Sequence, residues 1–173
     1  MNGSPGSSAG AILFPEGEVI DEMPVSFLCV TDDSGEVIAP EWFSRAESVH
    51  RQLRDSLPPG FDAWRQVLQT VFANGGRMTL AVAGETVMGV ALWRIIENTY
   101  EGRRLYVDDL VVDAASRSRG IGERFVRWLE DEARSRSCAV LALDSGVMRS
   151  GAHRFYFREA FSIASFSFRK SLK

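Results

Sequence analysis

The segment Val112-Asp113-Ala114-Ala115-Ser116-Arg117-Ser118-Arg119-Gly120-Ile121-Gly122 is where the period of the chain changes. Before it, residues 105–112 form an apolar run broken by two acids, with the look of a strand. After it, Ile121, Phe125, Trp128, Leu129 and Ala133 recur at helical spacing, while Arg124, Arg127, Glu130, Asp131 and Arg134 fill the other face, a helix to about residue 136. The segment is therefore a strand-to-helix junction, and it carries Arg-x-x-Gly-x-Gly where the helix begins. A helix N-terminus presents unpaired N–H groups and a partial positive charge, and glycine lets a ligand close on the backbone, so a pyrophosphate suits such a junction. At ordinary glycine content the string arises by chance in roughly one chain in five to ten, so its placement between strand and helix carries the weight. The Lys-Ser/Thr pair of a nucleotide-binding P-loop is lacking.

Upstream, residues 25–30 are a short strand ended by the turn cluster Asp32-Asp33-Ser34-Gly35. Two helical patterns follow, 41–57 (Trp42, Ala46, Val49, Leu53, Leu57) and 61–72 (Phe61, Trp64, Val67, Leu68, Val71), with Pro58-Pro59-Gly60 between them. Residues 78–83 and 87–96 are strands joined through Gly84-Glu85-Thr86, and 105–112 makes a third, giving a meander. Downstream of the junction helix come a fully apolar strand at 139–143, a helix at 149–159 and a last strand at 161–168. The strand, helix, strand order around the junction implies a parallel pair in an otherwise antiparallel sheet, with a right-handed crossover.

With 173 residues the chain has room for one domain. Residues 1–24 are expected to be a flexible N-terminal tail or extension, the first ten being rich in Gly and Ser, and residues 25–173 a single domain. A net charge of −3 supplies no broad basic field for nucleic acid. No window approaches the roughly 18 apolar residues of a membrane span, and the N-terminus lacks a basic n-region, so the chain reads as cytoplasmic and not membrane-bound. Cys29 and Cys138 lie in strand-like apolar runs and are expected to be buried thiols. His50 and His153 stand too far apart for metal-ligand spacing, so no metal is expected.

At the junction the chain resembles the GNAT superfamily of acetyl-coenzyme A dependent N-acetyltransferases, whose motif Arg/Gln-x-x-Gly-x-Gly/Ala is matched by Arg117, Gly120 and Gly122. The resemblance continues upstream through Tyr106-Val107-Asp108-Asp109-Leu110-Val111-Val112. Downstream it takes in Ala152 to Phe161, which is similar to the family's second motif, although Ala160 replaces the common Gly before Phe161 and Arg149 stands where many members carry Asn. The fold it implies is α/β, a mixed, mostly antiparallel sheet of six or seven strands with a splayed parallel pair, flanked by about four helices. Acetyl-coenzyme A is the implied cosubstrate, held at Leu110, Val111, Val112, Arg117, Ser118, Arg119, Gly120, Ile121 and Gly122. Tyr156 matches the tyrosine that protonates the departing thiolate in many members. The alternative for Tyr156 is packing, because Phe155, Tyr156 and Phe157 cannot all share one helical face.

Asp108 and Asp109 interrupt an apolar strand, where a carboxylate is costly unless paired, solvated or used. On a regular strand they point to opposite faces, so only one reaches a cleft unless a bulge turns both, and the resemblance favours such a bulge. Either acid could bind a cationic amine and take up its proton, or form an ion pair with Arg94, Arg103 or Arg104. Asp144 and His153 make a tempting pair that nothing in the sequence brings together, and His153 reads as a surface or capping residue. Of the basic stretch Arg117, Arg119, Arg124 and Arg127, only the first two adjoin the junction. Phe161 and Ile163 have one strand parity and Phe166 and Phe168 the other, which calls for a bulge or for cover on both faces, as in a homodimer.

The expected activity is transfer of an acetyl group to a primary amine of a small molecule by direct attack, with Tyr156, Asp108 and Asp109 as catalytic residues. No Cys or Ser stands in a recognisable nucleophile motif with a His. The alternatives are acetylation of a protein lysine or N-terminus, and a coenzyme A sensor without turnover.

Overall fold

The computed structural model describes residues 24–172. A two-residue turn at Gly84-Glu85 joins β2 (Arg77–Ala83) to β3 (Thr86–Asn98), and these long, largely buried strands form the middle of the sheet. β1 (Ser26–Cys29) pairs antiparallel with β2, and β4 (Gly102–Val112) antiparallel with β3. β5 (Val140–Leu143) joins β4 in parallel, so the order is β1-β2-β3-β4-β5. The mixed sheet and the parallel pair are as expected; the strand number is five, not six or seven.

Helices α1 (Pro40–Arg51) and α2 (Phe61–Ala73) cover one face, where Phe43, Ala46, Val49, Trp64, Leu68 and Phe72 pack on Leu80, Val90 and Leu92. α3 (Ile121–Ser135) covers the other, with Phe125 and Leu129 against Trp93, Leu105 and Val107. α4 (Ser150–Arg158) lies beyond β5 in the chain. The expected helix 41–57 ends early. Arg51 donates to the carbonyls of Leu57, Pro58 and Gly60 and folds the chain back, and Leu57 precedes a proline, which disfavours helix at that residue.

Residues 161–172 belong to no strand, which corrects the expected last strand at 161–168. The alternating apolar pattern is present, but a strand needs a strand partner, and after α4 the chain passes a left-handed Ala160 (φ 62°) and forms no ladder with the sheet. The thiols are also a correction: Cys29 is exposed on an edge strand and Cys138 half-buried in the turn before β5. Except for Pro24, the expected tail lies outside the described residues. Among the described residues no helix is long and apolar enough to cross a membrane, and no group of three His, Cys, Asp or Glu side chains could hold a metal ion.

Candidate active site

β4 carries one residue too many for β3. Leu92 faces Asp109 and Trp93 faces Val107, which leaves Asp108 as a bulge. Ahead of the bulge Leu105 and Val107 face α3, whereas behind it Val111 joins the core beneath α1 and α2. Asp109 follows Val111: it is 7% exposed and lies 2.8 Å through Oδ2 from Nε2 of His50 on α1. Asp108 reaches the same side, accepting from Arg94 Nε at 2.7 Å, and Arg94 also donates to the Asn74 carbonyl at the end of α2. The bulge thus turns both carboxylates towards the α1/α2 layer.

Their environments differ. Burial pushes the Asp109 carboxyl up, but the hydrogen bonds from His50 and Arg54 and the Arg54 charge outweigh it and hold the group below the usual carboxylate range. Arg54 donates from Nε to Asp109 Oδ1 at 2.6 Å and from a terminal nitrogen to the Asp108 carbonyl at 3.2 Å, which clamps the bulge. Trp64 Nε1–H donates to His50 Nδ1 at 3.0 Å, so Nδ1 is bare and the ring proton sits on Nε2, aimed at Asp109. Asp108 is 28% exposed; burial raises its carboxyl above the ordinary value, and the Arg94 hydrogen bond and charge offset this only in part. The partners of Asp109 thus favour its ionised form, whereas burial favours the protonated form of Asp108.

β4 continues to Val112, whereas its pairing with β5 covers only residues 104–107 against 140–143. Along residues 108–112, including Leu110, Val111 and Val112, one edge pairs with β3 and the other has no β5 partner; alternate N–H and C=O groups there point away from β3. The chain then enters a short 3-10 turn (Ala114–Ser116) fixed by Asp113, which accepts from Ala115 N–H at 3.0 Å. Gln52, just past α1, pins this turn: its side-chain nitrogen donates to Asp113 Oδ1 at 2.7 Å, and its side-chain oxygen accepts from Ala114 N–H at 2.9 Å.

Ser118 (φ 63°) and Gly120 (φ 73°) are left-handed, and Gly120 is the N-cap of α3, where no side chain caps the helix. The first-turn N–H groups of Ile121, Gly122 and Glu123 therefore lack intrahelical acceptors. A Cβ on Gly120 would meet nothing within 4 Å, so this glycine serves the backbone conformation and the open approach. At Gly122 a Cβ would stand 3.2 Å from the Phe155 ring, so that glycine seats α4 against the start of α3. Arg117 and Arg119 are exposed, without an ion-pair partner among the described residues; Arg124 instead donates to the Val25 carbonyl, and Arg127 pairs with Glu123.

On α4 the Tyr156 ring is flanked by Phe155 (5.4 Å) and Phe161 (5.6 Å), while Phe157 points to solvent. Burial raises the Tyr156 phenol above its ordinary value, against the opposing charge of Arg149, so it is protonated at neutral pH. Asp144 and His153 are not brought together. His153 Nε2 lies 3.0 Å from the Gly146 carbonyl, and Asp144 instead bonds Tyr106, whose phenol burial and that bond push up to about 12.

Sequence reasoning missed His50, Arg54, Trp64 and Gln52 as members of this site. His50 had a signal: it stands four residues after Ala46 in the apolar stripe of α1, a place where a polar ring needs buried partners. Arg54 and Gln52 had none.

A model of the GNAT acetyltransferase family matches residues 40–161. Over 72 residues the chain is 39% identical to an N-acetyltransferase, YhdJ, of Bacillus subtilis strain 168, covering 41% of this chain and 51% of that protein. Over 66 residues it is 36% identical to the aminoalkylphosphonate N-acetyltransferase of Salmonella typhimurium strain LT2, covering 38% of this chain and 43% of that protein. The matches thus span about half the length of these curated relatives. Among solved structures, an integron cassette protein from the mobile metagenome of V. cholerae superimposes with a TM-score of 0.70 at 20% identity over 85% of this chain and 92% of that chain, a likeness of fold.

Proposed function

Since the chain belongs to the GNAT acetyltransferase family, we propose that it transfers the acetyl group of acetyl-coenzyme A to a primary amine of a small molecule by direct attack. The observation that carries this reading is the β4 edge along residues 108–112, free of β5 and leading straight into the uncapped start of α3. The residues present fit a pyrophosphate: unpaired first-turn N–H groups, an open approach at Gly120, and the exposed cations Arg117 and Arg119, neither of which has an ion-pair partner among the described residues. The main chain of Leu110, Val111 and Val112 offers donors and acceptors to the amide-rich arm of the same cosubstrate.

Acetyl-coenzyme A supplies an activated thioester, so the chain needs no nucleophile of its own. Asp108 takes up a proton from the acceptor ammonium, directly or through water, because its raised carboxyl brings it closer to that task than an ordinary aspartate. The freed amine attacks the thioester carbonyl, the C–N bond forms and the C–S bond breaks, and the nitrogen gives its second proton to solvent, which reprotonates Tyr156 after its own donation. Tyr156 donates its phenolic proton to the departing thiolate, whose conjugate thiol is near pKa 8.5 on the cysteine scale. Asp109, His50, Arg54 and Trp64 hold the bulge on which Asp108 sits.

Asp108 and Asp109 are each bound to an arginine, so the wall is not simply acidic. That favours an acceptor bearing an anionic group beside its amine, the kind of compound named for the Salmonella relative, over a polycation. Thiol release from acetyl-coenzyme A over a panel of monoamines, diamines, amino acids and aminoalkylphosphonates tests the reading. Turnover with none of them, together with tight binding of acetyl-coenzyme A by calorimetry, would leave a coenzyme A sensor in its place.

A further inference from the structure

Two ion pairs stand side by side at the bulge, one closed and one open. Arg94 on β3 lies two positions past Leu92, so by strand alternation it returns to the α1/α2 side of the sheet, at the place where α2 ends. Its Nε donates to Asp108 Oδ2 at 2.7 Å and one terminal nitrogen donates to the Asn74 carbonyl at 3.1 Å, while the other terminal nitrogen has no hydrogen bond among the described residues. The Arg94 side chain is 24% exposed and that of Asp108 28%, so solvent, and with it a ligand, reaches both members of this pair. The neighbouring pair is closed. Arg54 holds Asp109, whose carboxylate is buried against His50, so drawing Arg54 away would strand a charge that no ligand reaches. Arg104, further along β4, is already committed to Glu101 and lies over the Tyr100 and Tyr106 rings.

We propose that Arg94 selects the acceptor: its pair with Asp108 opens by exchange with a short zwitterionic amine, whose ammonium takes the carboxylate while its anionic group takes the guanidinium. The inference rests on the acetyl-transfer reading and adds to it the residue that sets the acceptor class. Exchange is what the charges favour. An amine with a neutral tail must share Asp108 with Arg94, or draw the carboxylate off and leave a largely buried guanidinium with only the Asn74 carbonyl. A zwitterion breaks one ion pair and forms two, so no charge is left uncompensated. The guanidinium offers its N–H groups as a planar fork that suits a carboxylate or a phosphate-type anion, and the terminal nitrogen without a partner is available to it. Carboxylate and guanidinium are one hydrogen bond apart, so the two charges of the acceptor must be near neighbours on a short chain. The exchange also serves proton transfer. The Arg94 hydrogen bond and charge hold the Asp108 carboxyl down against burial, so an acceptor that draws Arg94 away leaves a stronger base facing its own ammonium.

Steady-state acetylation by the full chain of β-alanine, taurine and 2-aminoethylphosphonate, with β-alaninamide as the neutral counterpart, tests this. In the parent the best zwitterion should have a KM at least about tenfold below that of β-alaninamide. In R94Q the ratio of kcat/KM for that zwitterion to kcat/KM for β-alaninamide should fall at least about tenfold, mainly through KM, and comparing ratios cancels differences in amine basicity. R94K keeps the charge and loses the fork, so it should lower the ratio by a smaller factor, and it gives a reading even where R94Q does not fold. A staple that merely ties β3 to α2 would lower both acceptors by one factor and leave the ratio alone. Equal KM values in the parent, or a ratio unchanged in the variants, would overturn the inference with acetyl transfer itself still standing. A parent that acetylates no amine at all would overturn both.

Discussion

His50 Nε2–H donates to Asp109 Oδ2 at 2.8 Å while its other ring nitrogen accepts from Trp64 at 3.0 Å, so one buried imidazole satisfies a carboxylate and an indole together. His50→Ala strips both at once. Leaving a buried hydrogen-bonding group without its partner costs roughly 1–3 kcal/mol, more for a charged one, and a domain of this size loses roughly 2–4 °C of Tm for each kcal/mol. Urea and thermal melts should show a loss of that order, and a variant within about 1 kcal/mol of the parent would contradict the network.

The two adjacent aspartates should respond to pH in opposite senses. Asp109 has a folded value below its unfolded one of about 3.9, so its contribution to stability is complete above that value and is lost as pH falls through the folded value. Asp108 has a raised folded value, so its ionised form opposes folding at neutral pH, and this cost disappears as pH falls through the folded value. Asp109→Asn should therefore destabilise the protein near neutral pH and flatten its loss of stability in acid. Asp108→Asn should leave neutral stability unchanged or raise it. Urea midpoints measured from neutral pH down to about pH 3 separate the two cases.

Activity should divide the same pair the other way. Asp108→Asn should lower kcat/KM for the best amine by roughly 10²- to 10⁴-fold, the usual worth of a general base, and move the rate profile to higher pH, where more free amine exists. If Asp108→Asn leaves kcat/KM unchanged from pH 6 to 9, Asp108 is not the proton acceptor.

Tyr156→Phe deletes one hydroxyl and almost no volume. Affinity for acetyl-coenzyme A should hold while kcat falls by roughly 10²- to 10⁴-fold. Because burial raises the phenol, the alkaline fall in kcat caused by its ionisation should lie above pH 10 in the parent. An unchanged kcat would make Tyr156 a packing ring between Phe155 and Phe161.

Gly120 and Gly122 should fail for different reasons. Gly120→Val forces a β-branched residue into a left-handed N-cap and should weaken acetyl-coenzyme A binding at least tenfold, or about 1.4 kcal/mol by calorimetry. Gly122→Leu pushes on the Phe155 ring and so displaces α4, and should lower kcat through Tyr156. Equal binding by Gly120→Val and the parent would remove the α3 N-terminus from the cosubstrate site.

The strand-to-helix junction, the α1/α2 pair and the β2–β3–β4 meander were legible because each rests on local periodicity and turn residues. The bulge at Asp108 was legible only as an alternative, since two consecutive acids in an apolar strand say that something is unusual without saying which face each takes. His50, Arg54 and Trp64 escaped notice as partners of Asp109 because the contacts span 59, 55 and, through His50, 14 positions, and no local pattern encodes such distances. The final strand failed for a related reason: alternation shows that a segment can pair, and the partner is a non-local fact.

The extra residue at Asp108 makes β4 in effect two half-strands of opposite inside-out sense joined at a single point. Pairing residue 108 with Leu92 in an unbroken ladder would invert everything behind the joint, carrying Val111 to the α3 layer and thrusting Leu110 and Val112 beneath α1, with the Asp109 charge facing apolar Phe125 and Leu129 instead of His50. Deletion of residue 108 leaves plain alternation with Asp109 still opposite Leu92, so the shortened chain should fold with every later position on its present face, as the yield of soluble, cooperatively melting protein will show. Here the count of residues matters more than their chemistry, so plain alternation counted through residue 108 assigns the wrong face to every position of β4 after it.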